Sequence, residues 1–442
     1  MDKRLLTVSF LLLICFAHII PANAQLKHKI TLQEALQLAG KNNLTIQKAK
    51  LQHHLAEEVY EEEKELRIPE VSFHGSYGRM SDLTEYKSGL KERAITPMIP
   101  EIADANLIAS IPIYQGNRIN NSIKKAKIQE AISQINIEKK TNDIQINTIA
   151  NYLSVYKLMK VQQILVANCL EEADRLKEVK AFKKYGTVTN NDVLRIELQL
   201  SNRQLQLLSN QRNISIGLNT LKTTLQISEK DSLELDTLNL LVNQKTAQKY
   251  DYYQKVGLEK DEMRIAKEQE NIRLLDRKML HSNYYPKINF FASFGFNYPN
   301  YLFFPPNANI YNLGKLGLEM VYDISGLYKN RTKMAIANKR VEEELLDTKI
   351  LSDQISDRIF AQHTRYQEVL DRIPVNQKAV IQATENYRIV RLKYKNQLAL
   401  MTDLIDADNS LLDAHFNSIS TKIDALMHYY ELQYAAGLLQ SN

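Results

Sequence analysis

Residues 117–185 read NRINNSIKKAKIQEAISQINIEKKTNDIQINTIANYLSVYKLMKVQQILVANCLEEADRLKEVKAFKKY and contain neither proline nor glycine. Apolar side chains recur in this stretch at helical spacing, as at Ile149, Leu153 and Tyr156. The pattern predicts one continuous helix, and about 68 residues at 1.5 Å each give a rod of roughly 100 Å. A helix of that length is rare as a lone element of a globular domain, so we expect it to pack sideways on partners.

The prolines divide the chain in the same way twice. Apart from Pro21 and Pro374, they fall into two clusters, 69–112 and 286–306. Because proline breaks helix interiors, the intervening stretches are free to be helical. Each rod is followed by a short turn, near 186–191 and near 395–402, and then by a returning helix. The chain is therefore predicted to be internally duplicated, with one long antiparallel helical hairpin in each half.

Segments with alternating apolar and polar residues flank the helices. Val71, Phe73 and Tyr77 share one predicted face, and Ser72 and Ser76 share the other. This period of two is typical of a strand with unlike environments on its two sides. Four strands are predicted, at about 70–77, 106–114, 287–296 and 316–324.

These strands allow two interpretations. They fit an antiparallel sheet in a soluble domain, and strands of about nine residues are also long enough to cross a bilayer when tilted. After the leader, the sequence has no segment apolar and long enough for a transmembrane helix. Four strands cannot close a membrane barrel alone, so a membrane role requires several copies to share one barrel.

The domain organisation follows from these features. Residues 1–24 have a basic start, an apolar core and Ala22-Asn23-Ala24 at the end, which predicts a cleaved signal peptide. We expect a first structural repeat at 25–225, a connecting equatorial region at 226–256 and a second repeat at 257–442. A formal charge of +6, dispersed along the helices, does not favour nucleic acid as a partner.

No constellation of catalytic or metal-binding residues is found. His53 and His54 with Glu57 and Glu58 lie on a strongly charged helix, where a solvated face is the better interpretation. Phosphate-binding glycine loops, nucleophile elbows and zinc-type Cys/His spacings are not found. The sequence therefore predicts neither an enzyme nor a metal or cofactor site.

The two predicted turns align at an offset of 211 residues. Gly186 corresponds to Gln397, and Asp192 corresponds to Asp403. Both aspartates start returning helices, where carboxylates stabilise the helix N-terminus. Asp406 follows three residues after Asp403 on the same helix face. If several copies gathered their tips around one axis, these carboxylates would form rings that attract cations. An aspartate can cap its helix and also belong to such a ring.

Together with other motifs, these two tips give the chain a resemblance to the TolC family of outer-membrane efflux proteins over its mature length. The resemblance rests on the order and duplication of several motifs. They are Ile30-Thr-Leu-Gln-Glu-Ala-Leu, Pro69 and Pro286 before the strands, Ile111-Pro-Ile-Tyr-Gln-Gly-Asn, and the tips KKYGTVTNNDVL and KYKNQLALMTDLID.

The resemblance implies a mainly α fold with a β-barrel portion. Three copies would form an α-helical barrel in the periplasm and a shared barrel of twelve strands in the outer membrane. A periplasmic adaptor protein and an inner-membrane pump would be its partners. The family also implies a periplasmic gate, at positions that here are Tyr394, Asp192, Asp403 and Asp406.

Two tip residues depart from the family pattern. Gln397 replaces the tip glycine of the second repeat, and Ala399 stands where some members have an arginine that helps lock the closed state. Closure is then expected to rest on hydrogen bonds and on apolar contacts such as Leu398 and Leu400.

Two functions follow from the sequence. The main prediction is a passive exit duct of a tripartite efflux or secretion system, gated at the helical tips. The alternative is a soluble periplasmic coiled-coil scaffold or adaptor.

Overall fold

The computed structural model describes residues 27–236, 248–303 and 306–439. The described helices are α1 (Leu32–Asn42), α2 (Leu44–Glu65), α3 (Arg118–Lys184), α4 (Asn190–Leu225), α5 (Tyr250–Gly257), α6 (Asp261–His281), α7 (Gly326–Lys395) and α8 (Met401–Ala435). The described strands are β1 (Lys27–Ile30), β2 (Glu70–Arg79), β3 (Leu83–Lys87), β4 (Glu92–Thr96), β5 (Glu101–Tyr114), β6 (Ser232–Leu235), β7 (Lys287–Tyr298) and β8 (Tyr311–Val321). The predicted signal peptide, 1–24, and part of the predicted connector, 237–247, lie outside the described residues.

Two long helical hairpins dominate the fold, as predicted. Helices α3 and α4 form the first, and α7 and α8 form the second. At the hairpin tips the helices lie in the order α4, α3, α8, α7, and towards the sheet the order is α2, α3, α6, α7. The mainly α fold class with a small sheet is confirmed. None of the described helices is both long enough and apolar enough to span a membrane.

The sheet has the order β2-β5-β7-β8, and all neighbouring strands are antiparallel. The register aligns apolar residues across it, as in the row Phe73, Leu107 and Phe294. The same face carries Phe290 of β7 and Leu318 of β8, which are directly paired. The sheet thus has one continuous apolar face, because the alternation of each strand is in phase with its neighbours.

The last strand of this sheet is shifted from the prediction. The alternating pattern placed it at 316–324, whereas β8 spans Tyr311–Val321. Its pairing with β7 begins at Tyr311 opposite Asn297 and ends at Val321 opposite Lys287. The partner strand therefore sets the bounds, and the alternation beyond Val321 belongs to the turn into α7.

Four strands were not predicted. β3 and β4 form a hairpin inside a segment interpreted as a loop between the first two strands. β1 and β6 pair in parallel and join the start of the mature chain to the connector. Parallel pairing between residues about 200 positions apart leaves no local signal, since each strand has only four residues.

A hydrophobic cluster at mid-hairpin holds this β pair against α3. Tyr152 is fully buried, and its hydroxyl lies 3.0 Å from the Ile30 carbonyl oxygen and 2.8 Å from that of Asp236. Ile149, Leu153 and Leu221 pack in the same cluster. A second cluster, around Val179, Ile196 and Leu404, joins the two hairpins near their tips.

Candidate functional site

The two hairpin turns have the same backbone conformation. Gly186 has φ of +73° and Gln397, at the aligned position, has φ of +60°. In both turns the backbone N–H of the second residue after the helix donates back to the last turn, from Gly186 to the Lys183 carbonyl and from Gln397 to the Tyr394 carbonyl. Gln397 thus adopts a left-handed conformation that glycine adopts without steric cost. The second tip keeps its shape in spite of the lost glycine.

Asp192 and Asp403 both cap the returning helices. Asp192 Oδ2 accepts from the Thr189 backbone N–H at 2.9 Å, and Asp403 Oδ2 accepts from the Leu400 N–H at 2.9 Å. In the first tip Thr189 completes the box, because its hydroxyl oxygen accepts from the Asp192 N–H. Leu400 offers no hydroxyl at the equivalent position. The capping interpretation of the two aspartates therefore holds in each repeat.

Tyr394 and Asp192 line one cavity between the tips. Its volume is about 270 Å³, and its walls also include Phe182, Val188 and Met401. The Tyr394 hydroxyl is buried and has no hydrogen-bond partner within the described chain. Burial, with Asp192 and Glu178 nearby, raises the pKa of Tyr394 to about 12. A buried hydroxyl without a partner is unfavourable, so this group is available for a contact that the single chain does not supply.

Asp403 and Asp406 stand apart from this cavity. Both are exposed on α8, and the Asp403 carboxylate is engaged by its cap. The backbone carbonyl of Asp406 accepts from the Ser410 hydroxyl at 2.8 Å. Leu398 and Leu400 are exposed beside them. Within the described residues no group of three or more His, Cys, Asp or Glu side chains is arranged to hold a metal ion.

A buried ionic cluster, which the sequence analysis missed, lies behind the tips. It joins both hairpins: Arg175 and Glu172 come from α3, Asp408 from α8, Tyr387 from α7 and Arg203 from α4. Arg175 Nη1 lies 2.6 Å from Glu172 Oε1, and Arg175 Nη2 lies 3.1 Å from Asp408 Oδ1. Arg175 also donates to the Tyr387 hydroxyl. We call this set the Arg175 cluster.

The charges of the Arg175 cluster depend on one another. Burial raises the pKa of Glu172 to about 7; Arg175 opposes this effect and Asp408 adds to it. Burial opposes the charge on Arg175, but Glu172 and Asp408 raise the pKa of the guanidinium. One oxygen of each buried carboxylate, Glu172 Oε2 and Asp408 Oδ2, has no hydrogen-bond partner in the described structure. Buried acids that face each other in this way favour retention of a proton.

A signal for this cluster exists in the sequence. Glu172 and Arg175 are three residues apart, and both fall on the apolar stripe of the rod, where charged side chains need partners. Their partners Tyr387 and Asp408 come from the other hairpin, more than 200 residues away, and only the fold brings them together.

Sequence and structure comparisons agree on the class of protein. A family model described as outer membrane efflux protein matches residues 35–225. No curated protein sequence gives a significant match. CusC, a transmembrane channel, is similar with 13% identity, coverage of 92% of each chain and a TM-score of 0.80. VceC, an outer membrane protein of Vibrio cholerae, has 15% identity, coverage of 92% of this chain and 96% of VceC, and a TM-score of 0.76. The CmeC outer membrane channel of Campylobacter jejuni has 14% identity, coverage of 92% of this chain and 85% of CmeC, and a TM-score of 0.74.

The fold is that of solved outer-membrane channels. With the family match over the first hairpin, these findings confirm the predicted resemblance to TolC-family outer-membrane efflux proteins. They favour the channel over the soluble scaffold or adaptor.

Proposed function

We propose that this protein is the outer-membrane exit duct of a tripartite efflux or secretion system, and that it works as a homotrimer. The observation that carries the proposal is the apolar face of the sheet. Phe73, Leu316 and Leu318 are between 67% and 78% exposed on it. A soluble sheet buries such a face, so this one needs an apolar environment of its own.

The opposite face of the sheet has a different chemistry. It carries Ser76, which donates to Asp104 Oδ1 at 2.7 Å, together with Asn289 and Glu319. A strand that is apolar on one side and polar on the other is suited to separating lipid from an aqueous lumen. The apolar face then faces the bilayer, and the polar face lines the duct.

The sheet has two free edges, β2 and β8, and a membrane leaves no water to satisfy them. Pairing β2 of one copy with β8 of the next removes both edges. Three copies give twelve strands, in agreement with the number that the family resemblance implies.

Exposed apolar stripes on the helices support the same assembly. One stripe lies on α2 and α4, at one side of the protomer. The other lies on α7, at the opposite side. The exposed residues include Leu44, Leu51 and Leu55 on α2, Leu194, Leu198 and Leu205 on α4, and Leu346, Ile350 and Phe360 on α7. When protomers are arranged in a ring, the stripe on α2 and α4 of one protomer packs against the stripe on α7 of the next, and both are buried. A closed rotational symmetry requires such head-to-tail contacts.

In this arrangement the hairpins extend from the membrane into the periplasm. Helix α3 alone spans roughly 100 Å at 1.5 Å per residue. The tips of the two hairpins carry Tyr394, Asp192, Asp403 and Asp406, which we assign to the gate. An adaptor and an inner-membrane pump would engage the tips. Transport is passive for this chain: the tips separate and the cargo passes along the lumen.

A pair of substitutions on neighbouring residues of β7 tests the proposal. Phe294 lies on the apolar face, and Ser293 lies on the polar face. In a membrane barrel, Phe294→Arg costs about 2–4 kcal/mol near the bilayer centre, whereas Ser293→Arg is tolerated in an aqueous lumen. We expect only Phe294→Arg to reduce the amount of protein in the outer-membrane fraction.

The wild-type species extracted from that fraction, weighed by light scattering with correction for detergent, should have the mass of three chains. A monomer released with the periplasm without detergent, and indifferent to Phe294→Arg, would show the soluble scaffold instead.

A further inference from the structure

A cavity rich in basic side chains lies where the sheet meets the helices. Its volume is about 770 Å³, and it is bounded by the end of α2, the start of α3 and the end of α6. Arg67, Lys124, Lys278 and His281 line it. The described lining residues include no aspartate or glutamate. Three permanent cations around one cavity without a carboxylate create a positive potential that attracts an anion.

The start of α3 adds to this potential. Asn117 occupies the cap position with φ of 63° and makes no side-chain cap, and the first turn contains no acidic residue. The positive end of the longest helix dipole in the first hairpin is therefore uncompensated at the cavity. Gly116 permits this placement, because a Cβ there would lie 2.9 Å from the Ser282 carbonyl oxygen.

Two asparagine side chains, Asn117 and Asn120, also line the cavity. Arg67 Nη2 donates to Asn120 Oδ1 at 2.8 Å, and Asn120 Nδ2 donates to Asn117 Oδ1 at 3.2 Å. This chain of contacts holds the guanidinium beside the helix start without neutralising it. The arrangement of guanidinium, amide and helix terminus is suited to phosphate oxygens.

A register shift in β5 shows which side of the sheet the cavity adjoins. The pairing with β7 shifts between Pro112 and Tyr114, so Tyr114 lies opposite Ile288. Ile288 shares the apolar face with Phe290, two residues along the strand. Tyr114, which lines the cavity, therefore lies on the side proposed to face lipid. Tyr285 lines it as well, and tyrosines are enriched where a bilayer meets water.

We propose that this cavity binds the phosphodiester headgroup of an anionic phospholipid from the periplasmic leaflet of the outer membrane. The inference rests on the proposed membrane function. The cations and the helix start hold the phosphate, Tyr114 and Tyr285 lie at the glycerol level, and the acyl chains extend along the apolar sheet face. The lipid would fix the depth at which the sheet sits in the bilayer.

The test compares two triple variants of the detergent-extracted full-length protein. One removes the cations of the cavity: Arg67→Ala, Lys124→Ala and Lys278→Ala. The control removes the same charge from exposed positions elsewhere: Arg212→Ala, Lys255→Ala and Lys267→Ala. Binding of dihexanoyl phosphatidylglycerol, dihexanoylglycerol and inorganic phosphate is titrated separately, and retained phospholipid is counted by native mass spectrometry.

We expect the wild type and the control to bind phosphatidylglycerol and to retain it in the mass spectrum. The cavity variant should bind it at least roughly tenfold more weakly, since the three cations that attract the phosphate are lost. Uncharged dihexanoylglycerol should bind weakly, and with the same affinity to the wild type and to both triple variants. Equal binding by both triple variants would overturn the proposal. Inorganic phosphate binding as tightly as the lipid would overturn its lipid part.

The oligomer mass separates this test from that of the proposed function. If the extracted protein is a trimer with normal conductance but shows no headgroup binding, only the lipid site is refuted. If no membrane-extracted trimer exists, the duct itself is refuted.

Discussion

Arg175 Nη2 lies 3.1 Å from Asp408 Oδ1 and ties the first hairpin to the second at a point behind the tips. Both side chains are almost fully buried, with exposed fractions of 6% and 2%. A buried charge that loses its partner is strongly destabilising, typically by about 3–5 kcal/mol, whereas an exposed pair contributes little. The contact between the two hairpins therefore depends on each charge having its partner.

Arg175→Ala tests this dependence. It removes the 2.6 Å partner of Glu172 and leaves Asp408 with only the longer 3.6 Å contact to Arg203, so we expect a loss of about 3 kcal/mol or more in the free energy of unfolding of the helical region. Thermal unfolding followed by circular dichroism measures it. The control is Arg388→Ala, which breaks an exposed pair with Glu385 on α7 and should change little. Adding Asp408→Asn to Arg175→Ala should restore part of the loss. Equal effects of the two single variants would contradict this account.

The raised pKa of Glu172, about 7, predicts a pH dependence. An acid whose pKa is higher in the folded than in the unfolded protein binds more protons when folded, so stability is greatest below pH 4.5 for this group and falls as pH rises towards 7. The slope can reach about 1.4 kcal/mol per pH unit. Glu172→Gln should flatten the stability profile between pH 5 and 7. The control is Glu178→Gln, which changes a less buried glutamate on the same helix. If Glu172→Gln leaves the pH dependence of stability unchanged, then Glu172 is not the group responsible for it.

Tyr394→Phe removes the buried hydroxyl that has no partner in the single chain. Protomer stability should change by less than about 1 kcal/mol, because no hydrogen bond within the chain is lost. If the hydroxyl contributes to closure in the trimer, the variant should open more often in planar bilayers. Tyr185→Phe, at an exposed tip position, provides the comparison. An opening probability equal to that of the wild type would remove Tyr394 from the gate.

The aspartate ring is tested through Asp406, since Asp403 also caps α8. Asp406→Asn keeps the side-chain shape and should weaken block of the open channel by divalent cations, with little change in stability. Asp403→Ala should also cost about 1 kcal/mol through the lost cap. Asp413→Asn, exposed further along α8, is the matched control. Cation block that survives Asp403→Ala combined with Asp406→Ala would exclude the ring.

The left-handed residues of the two turns predict unequal effects on stability when glycine and glutamine are exchanged. At Gly186 a Cβ would meet nothing within 4 Å, so Gly186→Gln carries only the backbone cost of about 1–2 kcal/mol. Gln397→Gly relieves the same cost but makes the unfolded chain more flexible, so its net effect should be close to zero. Denaturant titration compares them. A large loss for Gln397→Gly would mean that its side chain holds the tip.

The sequence predicted the features that repeat or alternate locally. The proline-free rod at 117–185 became α3, and the offset between Gly186 and Gln397 matched two turns of the same φ sign. Asp192 and Asp403 were recognised as caps because capping depends on neighbours in the chain. The gate role of Tyr394 and the aspartates stays a prediction.

The features that were missed depend on distant contacts. The Arg175 cluster needs residues from both hairpins, and the β1–β6 pair joins segments about 200 residues apart. The bounds of β8 were wrong because its partner strand, not its own alternation, determines where pairing ends. Single-sequence periodicity places Glu172 and Arg175 on the apolar stripe of the rod, but it does not identify the distant partners of any of these residues.

Tyr152 lies near the middle of α3, under the parallel pair that its hydroxyl joins. From there to the end of the helix at Lys184 the distance is roughly 50 Å at 1.5 Å per residue. Because the hairpin is held at mid-length, a rotation about the level of Tyr152 moves its tip. A tilt of about 5° there displaces the tip by roughly 4 Å, by simple geometry on a rod of that length. Small rotations at the level of Tyr152, roughly 50 Å from the tip aspartates, are then sufficient to change the spacing of the tips.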